Sequence, residues 1–198
     1  CSSCLYGKAT RRPWRTKAQT KSLKTATAPG QCVSVDQMVS STPGLIAQLR
    51  GKPTTKRYTA ATIFVDQFSG FSYVALQKTQ NADETVKSKE NFKKLAASHG
   101  IKVQQYHCDN GIFADNDWKQ HCEKNHQSLT FCGVNAHFQN GVAERRIRHL
   151  RDHARTMLIH AVKRWPTAIT ANLWPYTIKI ANDIHNFAYD LNRKANPN

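Results

Sequence analysis

YTAATIFVDQFSGFSYVALQ, residues 58–77, holds two β-branched and aromatic runs separated by Phe68-Ser69-Gly70. Apolar runs of this length, broken by a short turn that carries a glycine, predict two antiparallel strands joined as a hairpin. On the N-terminal side, QCVSVDQMV at residues 31–39 sets Cys32, Val33, Val35 and Val39 around Asp36, a pattern that predicts a further buried strand. Residues 40–57, rich in Ser, Thr, Pro and Gly, read as the loop between them.

On the C-terminal side, Asn81 or Asp83 can cap a helix to about residue 98, with Val86, Phe92, Leu95 and Ala96 inward and Gly100 closing it. IKVQQYHC at residues 101–108 predicts a strand, Asp109-Asn110-Gly111 a turn, and residues 114–124 a short helix. SLTFCG, 128–133, predicts another strand, and the polar loop VNAHFQNG leads into a long helix from about Val142. There Ala143, Ile147, Leu150, Ala154, Met157, Leu158 and Ala161 recur at steps of three and four, the spacing of one helical face. Pro166 marks its end, and a last helix covers residues 175–187. Three strands, then helix, strand, helix, strand and two helices predict an α/β fold. Its mixed five-stranded sheet has antiparallel first strands and helices on both faces.

The chain has 198 residues, enough for one domain with a short appendage. Lys and Arg number 29 against 13 Asp and Glu, a net charge of +16 spread over several segments, which points to a polyanionic partner, nucleic acid first. No apolar run approaches the length of a membrane span, and the N-terminus lacks the apolar core of a signal peptide. Residues 1–30 carry seven basic and no acidic residues and end in Pro-Gly, so they read as an extended basic arm or linker. The six cysteines are scattered apart from the Cys1-x-x-Cys4 pair, which suits a reducing compartment and one metal half-site. A first residue of Cys, with no initiator Met, suggests a fragment or a piece cut from a polyprotein.

Joining or cutting a nucleic-acid strand needs a nucleophilic water or hydroxyl and a stabilised leaving oxygen, and two divalent ions about 4 Å apart can serve both. Such a site calls for about three converging carboxylates within a basic surface. Asp36 lies in an apolar strand, where an unpaired carboxylate is costly. Asp109 ends a strand before Asn-Gly, and Glu144 falls in the first turn of the long helix.

At these residues the chain resembles a known family. VDQMV, YHCDNG and FQNGVAERRIRHLRDHARTML are similar to the catalytic core of copia-type retrotransposon integrases, DDE recombinases of the ribonuclease H-like superfamily. The distinctive piece is NGVAER with its trailing helix, whose glutamate follows Asp109 by 35 positions. The resemblance implies that Asp36, Asp109 and Glu144 form an acidic triad holding two Mg²⁺ or Mn²⁺ ions. It further implies 3′-end processing of the element's DNA followed by strand transfer into target DNA. Asp66 in FVDQFSG competes for the first position, but the strand order puts the ligand on the first strand, and Asp66 then reads as a turn former bonding its own backbone. Asp115 and Asp117 read as acids that start the short helix.

Arg148, Arg151 and Arg155 lie four, seven and eleven positions beyond Glu144, on one helical stripe. The resemblance implies that this stripe holds DNA ends; the alternative is a solvated basic face. Where the family usually carries a proline in the loop before the helix, His137 stands here. By the same resemblance Cys1 and Cys4 are an incomplete zinc half-site, the C-terminal stub of an HHCC module with a basic linker over residues 1–30. The core then spans 31–198, and zinc binds only in a longer chain. Expected partners are element and target DNA and further copies of the chain on DNA, with no membrane; expected locations are the nucleus for activity and cytoplasmic particles for assembly. Two other functions share these features: a ribonuclease H-like nuclease or DNA-transposon transposase, and an inactive nucleic-acid-binding remnant.

Overall fold

The computed structural model describes residues 1–9, 26–48, 54–133 and 140–187. The strands β1 (Val33–Gly44), β2 (Tyr58–Asp66), β3 (Ser72–Gln77), β4 (Gln105–Cys108) and β5 (Ser128–Phe131) form one sheet in the order β3-β2-β1-β4-β5. β1 pairs antiparallel with β2, and β2 with β3, through the turn that follows Asp66. β4 joins the other edge of β1 in parallel, and β5 joins β4 in parallel. Parallel neighbours need a crossover, and the helix α2 (Ala82–Ser98) supplies it between β3 and β4.

Alternation along the strands divides the core in two. Val33 and Val35 of β1, Phe64 of β2, and Tyr106 and Cys108 of β4 face α2 and the short helix α3 (Asn116–Lys124), where Phe92, Ala96, Trp118 and Cys122 meet them. Phe64 stacks on Phe92 with centroids 4.9 Å apart, and Trp118 meets Tyr106 and Phe113 edge-on at 5.6 and 5.1 Å. The opposite face, Ala61, Ile63, Val65 and Val74, packs on α4 (Gly141–Arg164) through Ile147, Leu150 and Ala154. It also packs on α5 (Trp174–Phe187) through Trp174, Ile178 and Ala181. The stripe of threes and fours in the long helix is therefore its sheet-facing side.

Three expectations change. β1 does not stop at residue 39: it continues through Ser-Ser-Thr-Pro to Gly44 after an irregularity in register, and Gly44 pairs with Tyr58. Contacts from far along the chain hold this extension. Trp174 Nε1 donates to Thr42 O at 2.9 Å and Leu45 N to Asn172 O at 2.8 Å. A side chain at Gly44 would collide with Pro175, its Cβ falling 2.3 Å from Cγ. The strand expected over residues 101–108 is regular only from Gln105, because Gln104 N turns to the Gly30 carbonyl, 2.8 Å away.

The third change concerns the N-terminus. Residues expected to form an extended arm contain a helix, α1 (Ser2–Gly7), that packs on α4. Gly7 permits the approach, since a Cβ there would fall 2.1 Å from Thr156 Oγ1 and 2.8 Å from its Cα. Lys163 of α4 donates to Ser2 Oγ. Six residues with two large apolar side chains carry no readable period, so only the packing surface reveals this helix. The stretch 10–25 lies outside the described residues. No helix among the described residues is long and apolar enough to cross a membrane.

Candidate functional site

The site grows from the parallel pairing at the sheet centre. Val35 of β1 stands opposite Cys108, the last residue of β4, so Asp36 and Asp109, one residue further along each chain, lie side by side where β4 ends against β1. Asp36 opposes Ile63, whose side chain belongs to the core under α4; directly opposed residues share a face, which turns Asp36 toward α4. One Asp36 oxygen accepts from Gln37 N at 2.8 Å. Asp109 Oδ1 caps its own turn by accepting from Gly111 N at 3.3 Å. Both carboxylates line one cavity of about 300 Å³, closed by Gln37, Gln80, Ile112 and Phe113.

Glu144 arrives from α4. The residue preceding that helix, Asn140, makes no side-chain cap; its Nδ2 instead donates to the Val35 carbonyl at 2.9 Å. This bond ties the first turn of α4, and Glu144 with it, to the β1 peptide beside Asp36. Asn140 is 2% exposed, and its Oδ1 has no hydrogen-bond partner among the described residues.

Cys132, just past β5, marks the meeting point. Burial pushes its thiol up first, and then Asp109, Glu144 and Asp36 all push it further the same way by their negative charge. Asn110 Nδ2 donates to the Cys132 carbonyl at 2.8 Å and joins the Asp109 turn to β5. Cys132, Asn110 and Asn140 border these acids without being candidates from the sequence. Asn110 and Asn140 carry a faint signal as the Asn of two Asn-Gly pairs, and Cys132 carries none.

The competing acids have structural work. Asp66, 5% exposed, accepts from Ser69 N at 2.7 Å and Ser69 Oγ at 2.6 Å, closing the hairpin turn, and from Gly30 N at 2.9 Å. Asp115 is the N-cap of α3 and accepts from Asp117 N at 2.8 Å, while Asp117 sits in the first turn, as expected of helix-starting acids. Glu84 accepts from Lys78 N and Thr79 N.

Arg148, Arg151 and Arg155 are all exposed on α4. Arg151 and Arg155 border a cleft of about 270 Å³ whose other wall is Met38 to Thr42 of β1. β1 therefore runs from Asp36 to this basic cleft, about 13 Å over four residues at strand rise. His137 lies outside the described residues. Cys1 and Cys4 are exposed, and Cys4 N donates to Cys1 Sγ at 3.5 Å as an N-cap of α1; all six cysteines are free.

Among the described residues no three Asp, Glu, His or Cys side chains close around a common point as metal ligands. Asp36 and Asp109 share a cavity and Glu144 approaches from the helix, without the three closing on one centre. The three carboxylates would offer hard oxygen donors, the type that suits Mg²⁺ or Mn²⁺.

The sheet thus has an antiparallel β1-β2-β3 half, a parallel β1-β4-β5 half, and Asp36 within β1 beside Asp109 at the end of β4. The chain has the fold of retroviral integrase catalytic cores. It matches a chain of the simian T-cell lymphotropic virus intasome, solved in complex with PP2A regulatory subunit B56 gamma, at a TM-score of 0.64 and 16% identity. That match covers 92% of this chain and 57% of the intasome chain, so this chain spans little more than half of that relative. The HTLV-2 integrase catalytic core domain in complex with magnesium, in a trimeric form, matches at 0.58 and 18% identity, covering 84% of this chain and 92% of that one. The catalytic core domain of BIV integrase matches at 0.52 and 16% identity, covering 81% and 86%. No protein-family model and no curated protein sequence matches the chain. The ribonuclease H-like mixed sheet expected from the sequence is thus the fold observed.

Proposed function

We propose that this chain is the catalytic core of a copia-type retrotransposon integrase, a polynucleotidyl transferase acting on DNA. The observation that carries the reading is the register of β1 with β4, which sets Asp36 beside Asp109 while Asn140 binds the helix of Glu144 to the same peptide. The shared fold with integrase cores, one of them solved with magnesium, supports it, as do the net charge of +16 and the motif NGVAER.

In this reading Asp36, Asp109 and Glu144 hold two Mg²⁺ or Mn²⁺ ions. When bound, the metal pair activates a water or 3′ hydroxyl and stabilises the leaving oxygen in turn. The chain's own residues do the positioning. Arg148, Arg151 and Arg155 take the phosphates of a DNA end, a contact blind to sequence and sensitive to salt. Water attacks a phosphodiester near the element's 3′ end, releasing a short fragment and leaving a 3′ hydroxyl. That hydroxyl then attacks a target phosphodiester, and the displaced target oxygen leaves as a new 3′ hydroxyl.

The remaining parts of the reading follow the same family. Residues 1–30 are the end of an HHCC zinc module and its linker, Cys1 and Cys4 are two of its ligands in a longer chain, and residues 31–198 are the core. Copies of the chain assemble on element and target DNA, inside cytoplasmic particles first and in the nucleus for joining.

The test is strand transfer of a labelled oligonucleotide in Mg²⁺, comparing the parent chain with Asp109→Asn and Glu144→Gln. Both variants should bind DNA and lose joining. Joining that survives in either one overturns the site, and hydrolysis without joining in the parent chain selects the nuclease instead. Binding without either reaction selects the inactive remnant.

A further inference from the structure

The contact between α2 and α3 holds a second reactive cluster, on the sheet face away from Glu144. Lys89 points from α2 into the core and is 0% exposed. Its Nζ lies 2.9 Å from Cys122 Sγ and 3.1 Å from His121 Nδ1, both on α3. The rings of Tyr106 and Trp118 flank it at 4.9 and 5.0 Å. Among the described residues no carboxylate reaches the lysine. The nearby Glu90 is engaged with His121 Nε2 at 3.2 Å, which leaves Nδ1 to face the amine.

A buried ammonium without a counter-ion is costly, and the group relieves the cost by giving up its proton. Burial accordingly lowers Lys89 below its ordinary value, opposed in part by the neighbouring Cys122. Loss of that proton would leave a nucleophilic amine, and its nitrogen already stands 2.9 Å from the thiol sulfur, to which it donates.

We propose that Lys89 and Cys122 form a covalent cross-link on oxidation, a sulfenamide bond between Nζ and Sγ, with hydrogen peroxide as the oxidant. The chemistry balances in two steps. Cys122 sulfur attacks peroxide, the O–O bond breaks, and the thiol becomes a sulfenic acid with release of one water. The Lys89 amine then attacks that sulfur, the S–O bond breaks, and the departing hydroxide takes an amine proton to leave as a second water. His121 Nδ1, in contact with the amine, is placed to relay that proton. A surface cleft between the helices, lined by Val86, Lys87, Glu90, Gln120 and His121, reaches the histidine that touches Lys89, with Cys122 buried behind it.

The bond would clamp α2 to α3, the helix that follows the Asp109 turn, and so couple oxidation to the segment that carries this acid. Elsewhere the pairing is missing: among the described residues no lysine Nζ is hydrogen-bonded to the sulfur of Cys1, Cys4 or Cys108, whereas Lys89 Nζ is bonded to Cys122.

The full chain is treated with hydrogen peroxide and digested without thiol, and its peptides are weighed. The expected product joins the Lys89 and Cys122 peptides at their summed mass less two hydrogens, and dithiothreitol separates them. Neither Lys89→Met, which keeps the core filled, nor Cys122→Ser yields it. In Lys89→Met the same peroxide should carry Cys122 on to the sulfinic acid. Parent chain whose Cys122 becomes sulfinic, pairs with Cys108, or stays reduced while Cys1 and Cys4 oxidise overturns the proposal.

Discussion

Replacing Asp66 with alanine separates a structural acid from the proposed catalytic ones. The carboxylate accepts three hydrogen bonds, from Gly30 N, Ser69 N and Ser69 Oγ. The Gly30 amide is buried in this bond, and stranding it costs about 2 kcal/mol. The two Ser69 donors sit at a turn that water can reach, so each adds roughly 0.5 kcal/mol. The loss totals about 3 kcal/mol. With a urea m-value of roughly 2 kcal/mol/M for a domain of this size, the unfolding midpoint should fall by about 1.5 M without a change in m. Asp109→Asn keeps an acceptor for its exposed bond to Gly111, so its stability should stay within about 0.5 kcal/mol of the parent, a midpoint shift of no more than about 0.25 M. Urea titration followed by tryptophan fluorescence reads both. An unchanged midpoint for Asp66→Ala, or an equal fall for Asp109→Asn, refutes the division of labour between these acids.

Gly7→Ala should release α1 from α4, because the added methyl meets the Thr156 backbone, not merely a flexible tip; hydrogen exchange over residues 2–7 should quicken while the sheet stays protected. Lys89 binds its proton less tightly folded than unfolded, so between its lowered folded value and 10.5 the unfolded chain holds more protons and stability rises with pH. The parent chain should therefore gain stability over Lys89→Met as pH is raised through that window, and the difference between their urea midpoints measures it. Arg151→Ala and Arg155→Ala should each weaken binding to every DNA sequence alike and reduce the slope of log K against log salt by about 0.9, read by fluorescence anisotropy.

Where a run of residues carries its own period or its own turn chemistry, the sequence was enough. The hairpin at 58–77, the sheet-facing stripe of α4 and the Asp115 cap of α3 all follow from neighbours within a few positions, and each is found where expected. The acids could be nominated from NGVAER and its spacing, because a motif records a constellation that local chemistry alone does not show.

Tertiary structure decided what depends on distant partners. Ser-Ser-Thr-Pro-Gly becomes strand because Trp174 and Asn172 bond to its edge. Asp66 and Asp36 both end or interrupt apolar strands in the sequence, yet only Asp66 lies within reach of the Gly30 amide, whereas Asp36 follows the pair that brings β4 alongside. Nothing in the local sequence sets Lys89 apart from the other lysines of its helix, and burial against Trp118 and Tyr106 places its nitrogen beside a thiol. The physical reason is common to all of these. Periodicity and turn formation are set by residues within one or two turns of each other, whereas desolvation, charge pairing and close backbone approach are set by whatever the folded chain brings up from elsewhere.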